Sequence, residues 1–265
     1  MYHAAVPPLG AAAEGDPEVV VGVTSAVVAA AAGARVRRLV LQSHVGAVDD
    51  PERPRLQAKA RAEAVVRASG VPWTILRPTL LFGEGDHVTA LLVRLAREQP
   101  MVPVLGRGNA LLQPLWVGDY GRVLLRCLEE PGFEGQVVDV GGPEHLTWDA
   151  FVDAVLRASG TSRPKLHIAR GLANFLAQGM EWTMRAPPAT RGELDLLFRG
   201  QDLTDPDALE RRFGFKPRPF RDALGYLRAP GLPRSDTDLG PPPEAGAPPG
   251  TPHGREPGRP GMRGP

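Results

Sequence analysis

Few side chains in this sequence could carry chemistry, and their types restrict what it could be. A single cysteine, Cys127, excludes both a disulfide framework and a cysteine-rich metal site. Lying within Val123-Leu124-Leu125-Arg126-Cys127-Leu128, it reads as a buried core thiol. The six histidines are far apart, without the close pairing of a helical zinc site. Asp49-Asp50 and Glu129-Glu130 read as solvated charge. What remains are polar residues at the carboxyl ends of expected strands, namely Ser43 and Arg77-Pro78-Thr79, the edge where open α/β sheets bind ligands. Ser43 could orient a carbonyl there or simply bond a loop backbone group. Lys59 stands on an expected helix, in a chain whose 31 basic residues include 28 Arg and 3 Lys. A retained lysine suits a site that needs a compact ammonium, and the alternative is a solvated helix lysine. Phe82-Gly83-Glu84-Gly85-Asp86-His87-Val88 has G-x-G between a strand and a helix but no third glycine, so it reads as a turn closed by an Asp86 cap.

The elements that must position these residues alternate. Tyr2 to Val6 reads as a short buried strand. Asp16 caps a helix with Pro17 first and Gly33 just past its end. Arg38–Gln42 is a strand with a continuously apolar middle, as a doubly covered parallel strand has. Pro54 to Ser69 is a helix, and Trp73–Leu76 is a strand that Pro78 ends. Asp86 caps a helix through Glu98, and Val102–Leu105 and Leu111–Val117 are extended. Asp119 to Glu129 is helical with Asp119 as its cap, Val137–Val140 is a strand, and Thr147 caps a helix to Ala158. From Leu172 onward only helices are expected, over Leu172–Met184, Thr190–Phe198, Asp207–Phe213 and Phe220–Leu227. Residues 230–265 hold 11 Pro and 8 Gly, too many helix and strand breakers for a packed element. The expectation is a parallel α/β sheet over 1–160, a small helical lobe over 161–228 and a disordered tail over 229–265.

Basic and acidic side chains nearly cancel, at 31 against 30, so no long-range field favours nucleic acid or an anionic membrane. Val19–Ala34 is uncharged but falls short of the roughly 20 apolar residues of a span, and Glu14, Asp16 and Glu18 precede it where a signal peptide would be basic. The expected location is cytoplasmic.

Several fragments, taken in order, carry a resemblance. Tyr2-His3-Ala4-Ala5, Val36 to Ser43, Lys59 with Ala60 and Glu63, Thr74-Ile75-Leu76-Arg77-Pro78, Val117-Gly118-Asp119 and Gly141-Gly142-Pro143 resemble the NAD(P)-dependent epimerase/dehydratase branch of the short-chain dehydrogenases. Within it the sequence is similar to the atypical group that includes the accessory subunit of respiratory complex I. The resemblance implies a Rossmann-like sheet that binds NAD or NADP, with Ala4, Ala5, Lys59, Pro78 and Thr79 beside the cofactor. It implies Ser43 and Lys59 in catalytic positions, and Phe82, Gln113 and Trp116 on the substrate side.

Two departures accompany it. The family begins with a strand and a Gly-rich turn that holds the pyrophosphate, whereas Met1 here falls where the family's fourth strand would stand. The expectation is therefore a sheet without its first strands, weakened dinucleotide binding, and an edge strand that a homodimer or larger complex must cover. The family's catalytic tyrosine stands four residues before the lysine, and here that residue is Arg55. A guanidinium cannot shuttle a proton near neutrality. The sequence thus implies a protein without full oxidoreductase activity, or a structural or assembly factor of a respiratory complex. An active NAD(P)-dependent reductase or epimerase is the further alternative, if a segment upstream of Met1 completes the domain.

Overall fold

The computed structural model describes residues 2–3, 17–169, 171–172 and 203–228. In chain order the elements are β1 (Tyr2–His3), α1 (Pro17–Gly33), β2 (Leu39–Gln42), α2 (Pro54–Arg67), β3 (Trp73–Pro78) and β4 (Leu80–Phe82). There follow α3 (His87–Glu98), β5 (Val102–Leu105), β6 (Leu111–Leu112), β7 (Pro114–Trp116), α4 (Val117–Glu129) and β8 (Gln136–Val140). The remainder is β9 (Leu146–Thr147), α5 (Trp148–Ala158), β10 (Lys165–Ile168), α6 (Ala208–Phe213) and a 3-10 helix over Phe220–Arg228.

Four strands form a parallel sheet in the order β1-β2-β3-β8. Leu41 stands opposite Ile75, and Leu76 opposite Val138. Because side chains alternate along a strand, one apolar run supplies two cores. Leu39, Leu41 and Ile75 pack against Val20 of α1 and Ala58, Ala62 and Val66 of α2. Val40, Leu76 and Val138 face the other way, against Tyr120, Val123 and Cys127 of α4 and against Phe213 and Phe215. Helices on both faces are why β2 reads as a continuous apolar stretch. A third core, with Phe82, Leu92, Val104, Leu112, Phe151, Phe220 and Leu224, joins α3, α5, β5 and the 3-10 helix into a lobe beside the sheet.

Several expectations shift. Pro78 ends β3 as expected, but the strand runs two residues beyond Leu76: Pro78 is paired opposite Val140, and its carbonyl accepts Val45 N at 3.2 Å. After Thr79 the chain runs on as β4, which pairs with β7. Asp119 is not the cap of α4. The helix begins at Val117, and buried Asp119 in its first turn accepts the backbone N–H of Arg218 at 2.6 Å instead. The strand β10 was hidden in Lys165-Leu166-His167-Ile168, too short for a pattern to stand out, and it pairs in parallel with β5. Asp86 and Thr147 cap α3 and α5 as expected, accepting Thr89 N at 2.8 Å and Ala150 N at 3.2 Å. Asp16, the helices expected over Leu172–Met184 and Thr190–Phe198, and the tail from 229 lie outside the described residues.

The turn after β8 depends on two glycines. A Cβ on Gly142 would stand 1.8 Å from the Pro114 carbonyl oxygen, and one on Gly141 2.0 Å from Thr204 Oγ1. Backbone leaves no room to yield, so Gly142→Ala is expected to destabilise the fold by about 3 kcal/mol. A lowered urea midpoint would record this; an unchanged one would show that the close approach is dispensable.

Burial pushes the Cys127 thiol up to about 12, as expected of a core thiol. The folded chain therefore keeps its proton where the unfolded thiol, near 8.5, gives it up. The contribution of this group to stability is full below about pH 8.5 and is lost as pH rises from there toward 12. Iodoacetamide at pH 8 should label Cys127 in urea and leave the folded chain untouched, and rapid labelling of the folded chain would contradict the burial.

Candidate functional site

The carboxyl edge of the sheet is built where β2 and β3 end. Ser43 follows β2 and is held by its N–H to the Leu76 carbonyl at 2.7 Å. Its hydroxyl donates to Glu63 Oε1 at 2.5 Å. Glu63, on α2, is fully buried and also accepts Arg77 Nε and Nη2 at 2.7 Å each, as a two-pronged fork, and Arg67 Nη2 at 2.7 Å. One carboxylate thus ties the end of β2, the end of β3 and the helix between them. That carboxylate also holds the Arg77 guanidinium above its usual range. Such charge-assisted forks are among the stronger hydrogen bonds in proteins.

The chain leaves β2 at this edge and returns along α2, whose third turn, at Glu63, meets the ends of β2 and β3. Arg55, Lys59, Glu63 and Arg67 recur every fourth residue and so form one stripe along the helix. Arg55 and Lys59 are half-buried. At the end of β3, Pro78 is buried and the Thr79 N–H donates to the Val140 carbonyl at 3.0 Å. The Thr79 hydroxyl, on a residue 2% exposed, meets no hydrogen-bond partner among the described residues. A buried hydroxyl left open at a strand end is what a polar ligand atom would satisfy.

The structure brings Ser43, Pro78 and Thr79 to one edge, with Arg55 and Lys59 on the adjoining helix. The other expected residues that the structure describes are engaged in structural contacts. Gln113 is fully buried, its Nε2 donating to the Gly142 carbonyl at 2.8 Å and its Oε1 accepting Thr204 N at 2.7 Å, so it clamps the segment from 203 onto the turn after β8. Phe82 is a core residue, edge-on to Phe220 at 4.7 Å. Trp116 lies beneath the Arg218 guanidinium at 4.0 Å. Ala4 and Ala5 lie outside the described residues.

The segment Gly83–Asp86 is a turn and a cap, as its sequence suggests. Asp86 accepts Thr89 N, Gly83 N at 3.2 Å and the Tyr226 hydroxyl at 2.9 Å. Its carboxylate stands at the start of α3, where a phosphate would have to sit. Burial and then Asp86 push the Tyr226 phenol up, the opposite of what a proton-donating tyrosine needs. Among the described residues there is no cluster of three or more His, Cys, Asp or Glu fit to hold a metal, and no helix long and apolar enough to cross a membrane.

Sequence reading missed the centrality of Glu63. The signal was present in Arg77, a charge inside the apolar strand Trp-Thr-Ile-Leu-Arg-Pro, which requires a buried partner.

A parallel sheet covered by helices on both faces, with an open carboxyl edge, defines the Rossmann class of α/β proteins. Comparisons with known proteins then narrow it: residues 4–100 match the NAD(P)H-binding family model. The chain is 25% identical over 171 residues to subunit 9 of the NADH dehydrogenase [ubiquinone] 1 alpha subcomplex of Dictyostelium discoideum, mitochondrial, covering 64% of this chain and 47% of that one. It is 30% identical over 114 residues to the Arabidopsis thaliana protein of the same name, covering 42% and 28%. The chain thus spans less than half the length of these curated relatives. Its fold is similar to that of UDP-glucose 4-epimerase from Thermotoga maritima, with a TM-score of 0.63 at 17% identity over 86% of this chain and 75% of that one. The chain has a Rossmann-type fold, matches the NAD(P)H-binding model over residues 4–100, and has relatives named as complex I subunit 9.

Removing the charge of Glu63 leaves Arg77 and Arg67 facing a neutral amide. Glu63→Gln is expected to cost about 3 kcal/mol, the scale for breaking a buried ion pair. Chemical denaturation would measure it, and a loss below about 0.5 kcal/mol, the range of ordinary surface changes, would mean the cluster contributes little.

Proposed function

We propose that this protein is a dinucleotide-binding accessory subunit of an NADH dehydrogenase-type assembly and does not itself catalyse hydride transfer. One observation carries the reading: both proton-handling positions of the edge are disabled. Arg55 stands where a phenol would be needed, and the Ser43 hydroxyl is committed to Glu63. A bound nicotinamide would supply hydride chemistry, yet at position 55 a guanidinium, not a phenol, stands where the accompanying proton would be exchanged. The residues nevertheless fit a nicotinamide nucleotide. The open Thr79 hydroxyl and the Lys59 ammonium, beside strand ends, are suited to its polar ribose and amide groups. Among the described residues no strand leads into a G-x-x-G-x-x-G turn, and on this reading the stretch of chain binds the nucleotide weakly. The accessory role is supported by the two relatives named as complex I subunits.

Titration with NADH and with NADPH should show weak, saturable binding that Lys59→Ala reduces by roughly tenfold, about 1.4 kcal/mol. No oxidation of either cofactor should accompany ketones, aldehydes or UDP-sugars. The tagged protein should co-purify under mild extraction with NADH dehydrogenase activity. Turnover above background, or a protein that migrates alone under the same extraction, would sink the proposal.

A further inference from the structure

Residues 211–221, Arg-Arg-Phe-Gly-Phe-Lys-Pro-Arg-Pro-Phe-Arg, contain five cations and no acid, in a chain whose overall balance is only +1. The structure lays this segment along α4. Phe213 and Phe215 pack into the core that holds Tyr120, Val123 and Cys127. At one end, near Phe133, which follows α4, the Arg212 guanidinium lies over the Phe133 ring at 5.5 Å. Midway, Arg122 of α4 lies over Phe215 at 3.7 Å, and at the other end Arg218 lies over Trp116 at 4.0 Å. A helix of 13 residues rises about 20 Å, so the cations form a ladder of about that length. Arg122, Arg212, Lys216 and Arg218 are all exposed. Against them stands Asp119, whose carboxylate is buried and already accepts Arg218 N and Arg122 Nη1 at 3.5 Å. Among the described residues Lys216 has no ion pair.

We infer that this ladder is a docking surface for an acidic, amphipathic segment of a partner protein. Stacking on aromatic rings fixes the guanidinium planes before any partner arrives, and a fixed planar fork is suited to carboxylates. Exposed Leu125, 57% accessible, lies one turn along α4 from Arg122 and offers the apolar contact. Isolated exposed ion pairs are worth little, so a small anion would be held poorly, whereas a segment of protein engages several cations at once. Nucleic acid is disfavoured for a specific reason. Phe133, Phe215 and Trp116 each have a guanidinium over a face, which leaves those faces closed to the bases that a single strand would stack there. This inference is independent of the dinucleotide reading, since none of these residues lies at the ends of β2 or β3 or on α2.

The test is fluorescence anisotropy on the full chain with a labelled peptide of alternating Glu and Leu blocks, its Gln-for-Glu counterpart, a labelled RNA hairpin, and vesicles containing phosphatidylserine. The expected result is binding of the Glu peptide that weakens with added salt. Arg122→Glu with Lys216→Glu should weaken it at least roughly tenfold, and Arg94→Glu with Arg97→Glu on α3 should not. Lys216→Glu alone, at an exposed residue without an ion pair, should still weaken it severalfold and covers the case where the double variant fails to fold. Equal binding of the Gln peptide, equal loss in the α3 variant, no loss in Lys216→Glu, or tighter binding of RNA or vesicles would each overturn the assignment.

Discussion

A single buried carboxylate organises the edge of this fold. Glu63 is enclosed between a helix and the sheet, and a charge in that position is tolerable only because two guanidinia and a hydroxyl surround it. The same contacts set the register of α2 against β2 and β3. They therefore decide where Lys59 and Arg55 stand relative to the strand ends. The cluster also takes up the one hydroxyl at the end of β2 that could have served a bound carbonyl, so what stabilises the edge also limits its chemistry.

Around that edge, the segment after residue 203 acts as a strap. Thr204 is held by Gln113, Arg218 by Asp119, Phe220 N by Glu144 at 2.7 Å, and Tyr226 by Asp86. Each contact links a late residue to an earlier part of the chain, and the lobe core includes Phe220, Leu224 and Leu227. Three residues that resemble a substrate-side set, Phe82, Gln113 and Trp116, are all engaged by this strap. Their side chains are therefore engaged by structural partners, which agrees with the proposed accessory role.

The fold class was legible from the chain alone, because continuous apolar runs such as Leu39–Leu41 have no stable home except a strand covered on both faces. Helix starts were legible where a short polar side chain could cap, as at Asp86 and Thr147. Asp119 shows the limit of that rule. Its carboxylate could have capped its own helix, and a backbone N–H contributed from residue 218 claimed it instead. Lys165–Ile168 failed for another reason, since a four-residue edge strand is stabilised by its partner β5 more than by its own pattern.

For the site, residue types alone put a guanidinium, Arg55, rather than a phenol four residues before Lys59. Sequence order also placed Ser43, Pro78 and Thr79 at strand ends. Only the tertiary structure decided which of those groups are spent and which remain open. The Ser43 hydroxyl meets Glu63 from 20 residues away, while Thr79, one residue beyond its strand, keeps a hydroxyl without a partner among the described residues. Hydrogen bonds between groups distant in sequence depend on packing, and packing is set by all three cores together rather than by any local pattern.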